Sequence, residues 1–251
     1  MLKIIQEEIR NIEQKEDLKI LFACESGSRA WGFPSQDSDY DVRFIYIRSL
    51  EWYLSIDDKK DTLEYPINDV LDISGWDVRK ALKLFRNSNA VVYEWLQSPI
   101  VYKKETDFAE QLVKLFPEYF SLRAGMHHYL SMAKKCHNEE LMGNMVKLKK
   151  YFYALRPALA CKWIAEKKEV PPMEFPLLRQ LIKEERELNG IIDDLLQQKQ
   201  EGGEKDMIVS IDLLNSFIEK EIKRGELFSL ELEKTKGSTE DINKLFRQLL
   251  K

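Results

Sequence analysis

The sequence lacks any run of about 18 uncharged apolar residues, the length that a membrane-spanning helix needs. Residues 1–19 are acidic and amphipathic, without the apolar core or the cleavage site of a secretory signal peptide. Only three cysteines are present, Cys24, Cys136 and Cys161, and they lie far apart. An odd number of scattered thiols is typical of a reducing compartment. The sequence therefore predicts a cytoplasmic protein without a membrane partner.

Zinc-binding spacings are also missing. The sequence has three histidines and no C-x-x-C motif, and its one close cysteine–histidine pair is Cys136 and His137. Structural zinc sites take four cysteine or histidine ligands at short, regular spacings. The adjacent residues His127 and His128 have no evident cysteine or carboxylate partner, so we interpret them as ordinary helix residues. The sequence predicts no zinc site.

Glycine and proline are scarce, at 10 and 8 in 251 residues, which favours a helix-rich protein with few long loops. Hydrophobic residues make up 44%, which excludes a disordered chain. Charged residues make up 33%, above the usual share of about 25%. Because 39 basic residues nearly balance 43 acidic ones, a histone-like binder is excluded but a local basic face is not.

Strand-like and helical patterns alternate before residue 100, and strand patterns nearly vanish after residue 105. The sequence predicts an α+β fold, with a small mixed β-sheet packed by helices over residues 1–102 and an all-helical domain over residues 103–251. The predicted strands are 18–24, 41–47 and a weaker 65–72. The predicted helices are 2–16, 78–86, 90–96, 108–116, 119–136, 139–165, 175–200, 207–224 and 238–250.

One segment combines a turn with paired acidic residues. The predicted strand 18–24 leads into a turn at Gly27 and Ser28, and Asp39 and Asp41 open the next strand. Residues i and i+2 share one face of a strand, so the two carboxylates repel each other unless a cation compensates them. Carboxylate oxygens suit Mg²⁺ or Mn²⁺. Gly27 lets a phosphate approach the backbone N–H groups of the turn and the Ser28 hydroxyl.

A Gly-Ser turn followed by D-x-D on a strand resembles the signature of the DNA polymerase β nucleotidyltransferase superfamily. The longer segment ESGSRAWGF…DSDYDVRFIY is similar to the YcgL-type predicted nucleotidyltransferases, a bacterial branch associated with RNA-repair gene neighbourhoods. Three further segments fit this branch: DISGWDVRKAL from Asp72, SNAVVYEWLQSPIVY from Ser88 and KLKKYFYALRP from Lys147. The resemblance covers roughly residues 18–165.

This resemblance implies a third carboxylate on a neighbouring strand and two Mg²⁺ (or Mn²⁺) ions that serve an in-line displacement. The candidates for the third carboxylate are Asp69, Asp72 and Asp77. Asp72 is favoured because it lies in the short apolar run 70–73, whereas Asp77 is placed to cap the next helix. The predicted catalytic and metal-binding residues are therefore Asp39, Asp41 and Asp72, with Asp72 on the acceptor side as, or assisting, the general base.

The resemblance also implies nucleotide-binding residues in the Gly-Ser turn and in a basic helix that closes the cleft between two domains: Gly27, Ser28, Arg29, Lys149, Lys150 and Tyr151. Alternatives remain for several of them. Arg29 equally suits a structural ion pair, and Lys149 and Lys150 equally suit the outer face of an amphipathic helix. Arg43, on the strand face of Asp41, either holds the carboxylates in place or approaches a substrate phosphate.

The predicted function is a metal-dependent nucleotidyltransferase that moves a nucleoside monophosphate from an NTP, such as ATP, to an acceptor hydroxyl and releases pyrophosphate. RNA is the acceptor that the branch suggests. Two alternatives stay open: an AMP-transferring enzyme that acts on a protein or small molecule, and a degenerate nucleotide-binding regulatory module. The presence of Gly27, Ser28, Asp39 and Asp41 argues against degeneracy.

Overall fold

The computed structural model describes residues 1–65, 70–105, 107–202, 206–233 and 237–251. The chain divides into two compact units, which we call the first and second units. The first unit comprises Met1–Ala30, Asp39–Tyr119 and Lys236–Lys251, and the second comprises Trp31–Ser38 and Phe120–Thr235. Each unit thus draws on separated segments of the chain, whereas the predicted domains have a single boundary after residue 102.

A five-stranded mixed sheet forms the centre of the first unit, in the order β3-β4-β2-β1-β5. Strands β2 and β4 pair in parallel, and the other neighbours pair antiparallel. A small mixed sheet packed by helices confirms the predicted α+β fold. The strands are β1 (Lys19–Ser26), β2 (Tyr40–Ile47), β3 (Thr62–Glu64), β4 (Leu71–Asp77) and β5 (Val101–Lys104).

The two faces of the sheet differ because side chains alternate along each strand. Helix α1 (Leu2–Glu16) covers one face with three buried isoleucines at helical spacing, Ile5, Ile9 and Ile12. These side chains pack with apolar residues of β1, β2 and β4, including Val42 and Ile73, in one core cluster. The alternate positions of the same strands, which include Asp41, Arg43 and Asp72, project from the opposite face.

Short helices and a C-terminal helix complete the first unit. The C-terminal helix joins this unit because the Tyr119 hydroxyl donates a hydrogen bond to the Ser238 carbonyl at 2.6 Å. The ring of Phe246 also packs edge-on against that of Tyr53, with centroids 5.1 Å apart. These helices are α2 (Ser28–Trp31), α3 (Leu50–Tyr53), α4 (Val78–Arg86), α5 (Ala90–Leu96), α6 (Phe108–Lys114), α7 (Phe116–Tyr119) and α13 (Thr239–Leu249).

The strand predicted at 65–72 is wrong in position. Residues 66–69 lie outside the described residues, and β4 begins at Leu71 and continues to Asp77. Strand β4 contains one glycine and two aspartates, which have low strand propensity, so its sequence did not predict a strand at this position. Gly75 is required there because a Cβ atom would lie 2.2 Å from the ring of Phe44. Strand β5 was missed because it is a short edge strand with little burial.

Helices dominate the second unit, but they are joined by a short antiparallel ribbon of β6 (Met145–Lys147) and β7 (Met207–Val209). The expectation of helices alone in this part of the chain is therefore wrong in this detail. Predicted helices 139–165 and 207–224 begin later, after these strands, and predicted helix 175–200 is interrupted near residues 180–185. The helices are α8 (Leu122–Glu140), α9 (Leu148–Lys167), α10 (Phe175–Arg179), α11 (Arg186–Glu201) and α12 (Asp212–Glu231).

Within the described ranges, no helix is long and apolar enough to cross a membrane. The three cysteines are free thiols: Cys24 and Cys161 are buried and Cys136 is half-buried. Burial raises the pKa of the Cys136 thiol to about 11, so this thiol stays protonated near neutral pH.

Candidate active site

Asp41 and Asp72 occupy directly opposite positions on the parallel strands β2 and β4. Their side chains are 31% and 26% exposed, so a ligand in solvent can reach both. Asp41 belongs to the D-x-D motif, and Asp72 is the favoured third carboxylate of the sequence analysis. The pairing of the two strands therefore brings together two of the three predicted catalytic carboxylates.

Arg43 contacts both carboxylates with one nitrogen atom. Its Nη2 lies 3.1 Å from Asp41 Oδ1 and 2.7 Å from Asp72 Oδ2. Its Nη1 donates to the backbone carbonyls of Val42, at 3.0 Å, and Asp72, at 3.2 Å. The guanidinium thus compensates the repulsion between two neighbouring carboxylates. The sequence left two interpretations of Arg43 open, and this geometry agrees with the one in which it holds the carboxylates in place.

The carboxylate oxygens of Asp41 and Asp72 that contact Arg43 Nη2 are ligands that suit a hard divalent cation. Asp41 and Asp72 would hold such an ion at the place where Nη2 of Arg43 now lies. Across the described parts of the chain, no three histidine, cysteine, aspartate or glutamate side chains converge tightly enough to hold a metal. Asp39 is exposed just before β2 and does not complete a three-carboxylate cluster.

Arg29 connects the Gly-Ser turn with the beginning of β2. Its Nε donates to the Asp39 carbonyl at 3.1 Å, and its guanidinium lies 3.8 Å from the centre of the Tyr40 ring. The first contact is a hydrogen bond to the backbone, and the second is a cation–π interaction. Arg29 thus fixes the approach of the chain to the D-x-D motif.

Gly27 is needed for two reasons at the turn. Its φ of +80° lies in the left-handed region that favours glycine. A Cβ atom at this position would also lie 2.2 Å from Asp41 Oδ2. The buried residue Ser28 follows as the first residue of α2. The turn and the D-x-D motif, separated in sequence, are therefore in direct contact in the structure.

Glu25 is a buried carboxylate behind this turn, and the sequence analysis gave it no role. Its Oε1 accepts the backbone N–H of Asp41 at 2.7 Å, and its Oε2 accepts the hydroxyl of Tyr102. Burial raises the pKa of Glu25, although both hydrogen bonds and the charge of Arg29 favour the ionised form. The sequence could have indicated a buried role for Glu25, because this carboxylate directly follows the apolar run 18–24. Nothing signalled Tyr102, which reaches Glu25 because β5 pairs with β1.

Asp77 caps α4, as its position in the sequence predicted. Its Oδ1 accepts the backbone N–H of Arg79 at 2.8 Å, and its Oδ2 accepts the Tyr53 hydroxyl at 2.7 Å. It is fully buried at the other end of β4 from Asp72. The other candidate for the third carboxylate, Asp69, lies outside the described residues. Asp72 is thus the candidate that the structure places beside Asp41.

The predicted basic helix belongs to the second unit, in α9. Lys150 Nζ lies 2.8 Å from Glu140 Oε1. Tyr151 is buried, and its hydroxyl accepts the backbone N–H of Ile211 at 2.7 Å. Lys149 is half-buried. The nucleotide-binding roles of these three residues stay predictions.

A family profile and a bacterial relative both match nearly the whole chain. Residues 1–248 match the profile of the family described as "RlaP: RNA repair pathway DNA polymerase beta family". The chain is 48% identical over 246 residues to a Bacillus subtilis (strain 168) protein described as "Uncharacterized protein YcgL", covering 98% of this chain and 95% of that protein. A crystal structure of a nucleotidyltransferase-like protein from Exiguobacterium sibiricum 255-15 aligns with 90% of this chain and 75% of its own, with 12% identity and a TM-score of 0.33.

Proposed function

Because the chain belongs to the RNA repair pathway DNA polymerase beta family, we propose that it is a metal-dependent nucleotidyltransferase. It moves a nucleoside monophosphate from an NTP to an acceptor hydroxyl and releases pyrophosphate. We propose RNA as the acceptor class, which the description of the family supports. The observation that carries the proposal is the position of Asp41 beside Asp72, where both carboxylates contact one positive centre.

The three aspartates of the candidate site have different roles in the proposed reaction. Asp41 and Asp72, with Asp39 at the edge of the same motif, are the residues that would hold Mg²⁺ or Mn²⁺. When bound, the metal supplies positive charge that stabilises the phosphate oxygens during the displacement. Asp72 accepts the proton of the acceptor hydroxyl. The hydroxyl oxygen then forms a bond to the α-phosphorus, the bond from this phosphorus to the bridging oxygen breaks, and pyrophosphate leaves with the electron pair.

The Gly-Ser turn orients the substrate in this proposal. Gly27 has no Cβ atom, which leaves room for the Asp41 carboxylate against the turn backbone and keeps the turn beside the D-x-D motif. The backbone N–H groups of the turn and the Ser28 hydroxyl donate to the phosphate oxygens. Arg29, already held against Tyr40, keeps the turn beside β2. Lys149, Lys150 and Tyr151 of α9 are proposed as further nucleotide-binding residues.

A labelled-transfer experiment tests the proposal. Purified protein is incubated with α-labelled NTPs, Mg²⁺ or Mn²⁺, and separately with single-stranded RNA, DNA, proteins or small-molecule extract. We expect label on RNA, and its loss in Asp41→Asn and Asp72→Asn. Asp58→Asn, a change at an exposed aspartate in the same unit, is the matched control and leaves transfer unchanged.

The variants also separate the roles of the two carboxylates. Asp72→Asn is expected to slow transfer by about 10²–10⁴-fold, the usual contribution of a general base, and to weaken NTP–metal binding measured by calorimetry less than Asp41→Asn does, because Asp72 serves the acceptor side. Asp41→Asn is expected to weaken that binding. Undiminished transfer in the Asp41→Asn, Asp72→Asn double variant contradicts the proposal. Transfer only to protein or small molecules would contradict the proposal that RNA is the acceptor. NTP binding without any transfer would indicate a regulatory module.

A further inference from the structure

A basic groove lies between helices α4 and α13 of the first unit, away from the carboxylate pair. Its volume is about 280 Å³. Three cationic side chains of α4 line it: Arg79, Lys83 and Arg86. They recur at intervals of four and three residues and therefore share one face of the helix. Among the residues that the structure describes, no acidic one lines the groove.

The ion pairing of these three cations differs from that of their neighbour Lys80 on the same helix. Within the part of the chain that the structure describes, Arg79, Lys83 and Arg86 form no ion pair, whereas Lys80 of the same helix pairs with Asp61 at 2.9 Å. Arg86 donates from Nη1 to the Thr239 hydroxyl at 2.7 Å. Its Nε is buried without a partner among the described residues.

Asp77 and Asp241 are acidic residues near this positive charge. Asp77 lies close enough to Arg79 for the arginine to favour its ionised form, but its oxygens are taken by the helix cap and by Tyr53. Asp241 on α13 is exposed and does not line the groove. Like charges on one helix face repel each other, whereas Lys83 and Arg86 lie in the last turn of α4, where the helix dipole favours cations.

Apolar and aromatic surface lies between the cations. The side chains of Leu82, Ile242 and Phe246 contribute to the lining of the groove, and Arg79 lies 5.4 Å from the centre of the Tyr53 ring. Proteins that bind single-stranded nucleic acids combine positive grooves along the backbone with aromatic surfaces that contact bases. A compact inorganic anion would leave the apolar part of the groove unused.

We propose that this basic groove binds the phosphodiester backbone of the single-stranded RNA acceptor. The inference rests on the proposed function and locates the acceptor on the first unit. The chain connects the two places directly, since β4 carries Asp72 near one end and passes into α4 after Asp77. Asp72 and Asp77 are five positions apart, which is roughly 17 Å along a strand, so one RNA strand can reach both places.

Fluorescence anisotropy with a short labelled single-stranded RNA, measured over a series of salt concentrations, tests the groove. In Lys83→Gln, Arg86→Gln we expect the dissociation constant to rise about tenfold. The slope of log K against log salt should shrink by about 1.4, because each phosphate contact on a single strand contributes about 0.7. Lys3→Gln, Arg10→Gln on α1 removes two exposed cations of the same unit and is the matched control.

A second variant distinguishes a loss of RNA binding from a loss of folded protein. Arg86 bonds to Thr239, but Lys83 is exposed and has no ion-pair partner among the residues described, so Lys83→Gln alone keeps the fold and should still reduce the slope by about 0.7. Lys83→Arg, Arg86→Lys keeps both charges and should retain binding. Unchanged affinity and slope in both neutralised variants overturn the proposal, as does wild-type protein that fails to bind RNA at low salt.

Transfer and NTP binding are measured on the same variants to separate this inference from the proposed function. Wild-type protein that binds RNA through the groove but transfers no label supports the groove and contradicts the proposed function. Transfer to RNA that persists with full RNA affinity in the neutralised variants supports the proposed function and overturns the groove. NTP binding is expected to be equal in all of these proteins.

Discussion

Asp41 and Asp72 lie side by side on two parallel strands and contact the same nitrogen of Arg43. The two residues are 31 positions apart in the sequence. Two carboxylates at adjacent positions repel each other, so a cation between them is an electrostatic requirement of this sheet. Arg43 of the chain itself supplies such a cation. This arrangement leads to specific expectations for Arg43 and for its surroundings.

Replacing Arg43 with alanine should make the stability of the protein depend on divalent cations. The change leaves two carboxylates uncompensated and should lower the free energy of unfolding by about 1–3 kcal/mol, the usual cost of losing a charged hydrogen-bond partner. Mg²⁺ should then raise the melting temperature more in Arg43→Ala than in the wild type. Arg247→Ala, which removes an exposed pair with Glu240, is the control. An equal effect of Mg²⁺ on wild type and Arg43→Ala would contradict this prediction.

Replacing Gly27 with alanine should damage the turn and the position of Asp41 together. The left-handed φ and the 2.2 Å approach of a Cβ to Asp41 Oδ2 predict a loss of about 1–3 kcal/mol in the free energy of unfolding. Gly190→Ala is the control, because a Cβ there meets nothing within 4 Å on helix α11 and should stabilise by about 0.5–1 kcal/mol. Urea denaturation compares the two. A Gly27→Ala protein as stable as the wild type would be inconsistent with this geometry.

Asp77 should make stability fall with rising pH over an acidic window. Burial raises the pKa of Asp77 above its ordinary value of 3.8, although the bonds from Tyr53 and Arg79 favour the ionised form. The native state therefore binds this proton more readily than the unfolded state. Its contribution to stability is greatest below the ordinary pKa and declines as the pH rises through the raised native pKa.

The variant Asp77→Asn removes this proton and keeps a side chain that caps helices well. Its free energy of unfolding should therefore decline less than that of the wild type as the pH rises above 3.8. Denaturant titrations at a series of pH values measure the difference, with Asp58→Asn, at an exposed site, as control. If wild type and Asp77→Asn show parallel pH profiles, the native pKa of Asp77 is not raised.

Lys149 and Lys150 should contribute to NTP affinity if the proposed nucleotide contacts are correct. Lys149→Ala, Lys150→Ala is expected to raise the dissociation constant of a non-hydrolysable NTP with Mg²⁺ by about tenfold, the effect of losing roughly 1.4 kcal/mol of binding free energy. Lys134→Ala is the matched control, since Lys134 pairs with Glu226 in the second unit as Lys150 pairs with Glu140. Calorimetry gives both affinities. Equal affinity in all three proteins would assign the two lysines to the helix surface.

Local patterns were sufficient for much of the first unit. The predicted bounds of α1, α4 and α5 agree with the structure, and strands β1 and β2 begin within one residue of their predicted positions. Apolar spacing, N-cap residues and runs of β-branched residues determine such elements within a few residues of chain. The sequence alone also placed Asp77 as a helix cap and indicated the turn at Gly27.

Tertiary structure decided how these pieces form a candidate site. The parallel pairing of β2 with β4 sets Asp72 beside Asp41, the pairing of β5 with β1 brings Tyr102 to Glu25, and Tyr119 holds α13 in the first unit. Strand pairing between distant segments depends on the packing of the whole sheet, and no local periodicity encodes it. The acidic motif was therefore predictable from the sequence, which left two roles open for Arg43, whereas the contact of Arg43 with Asp72 and the basic groove on α4 followed only from the fold.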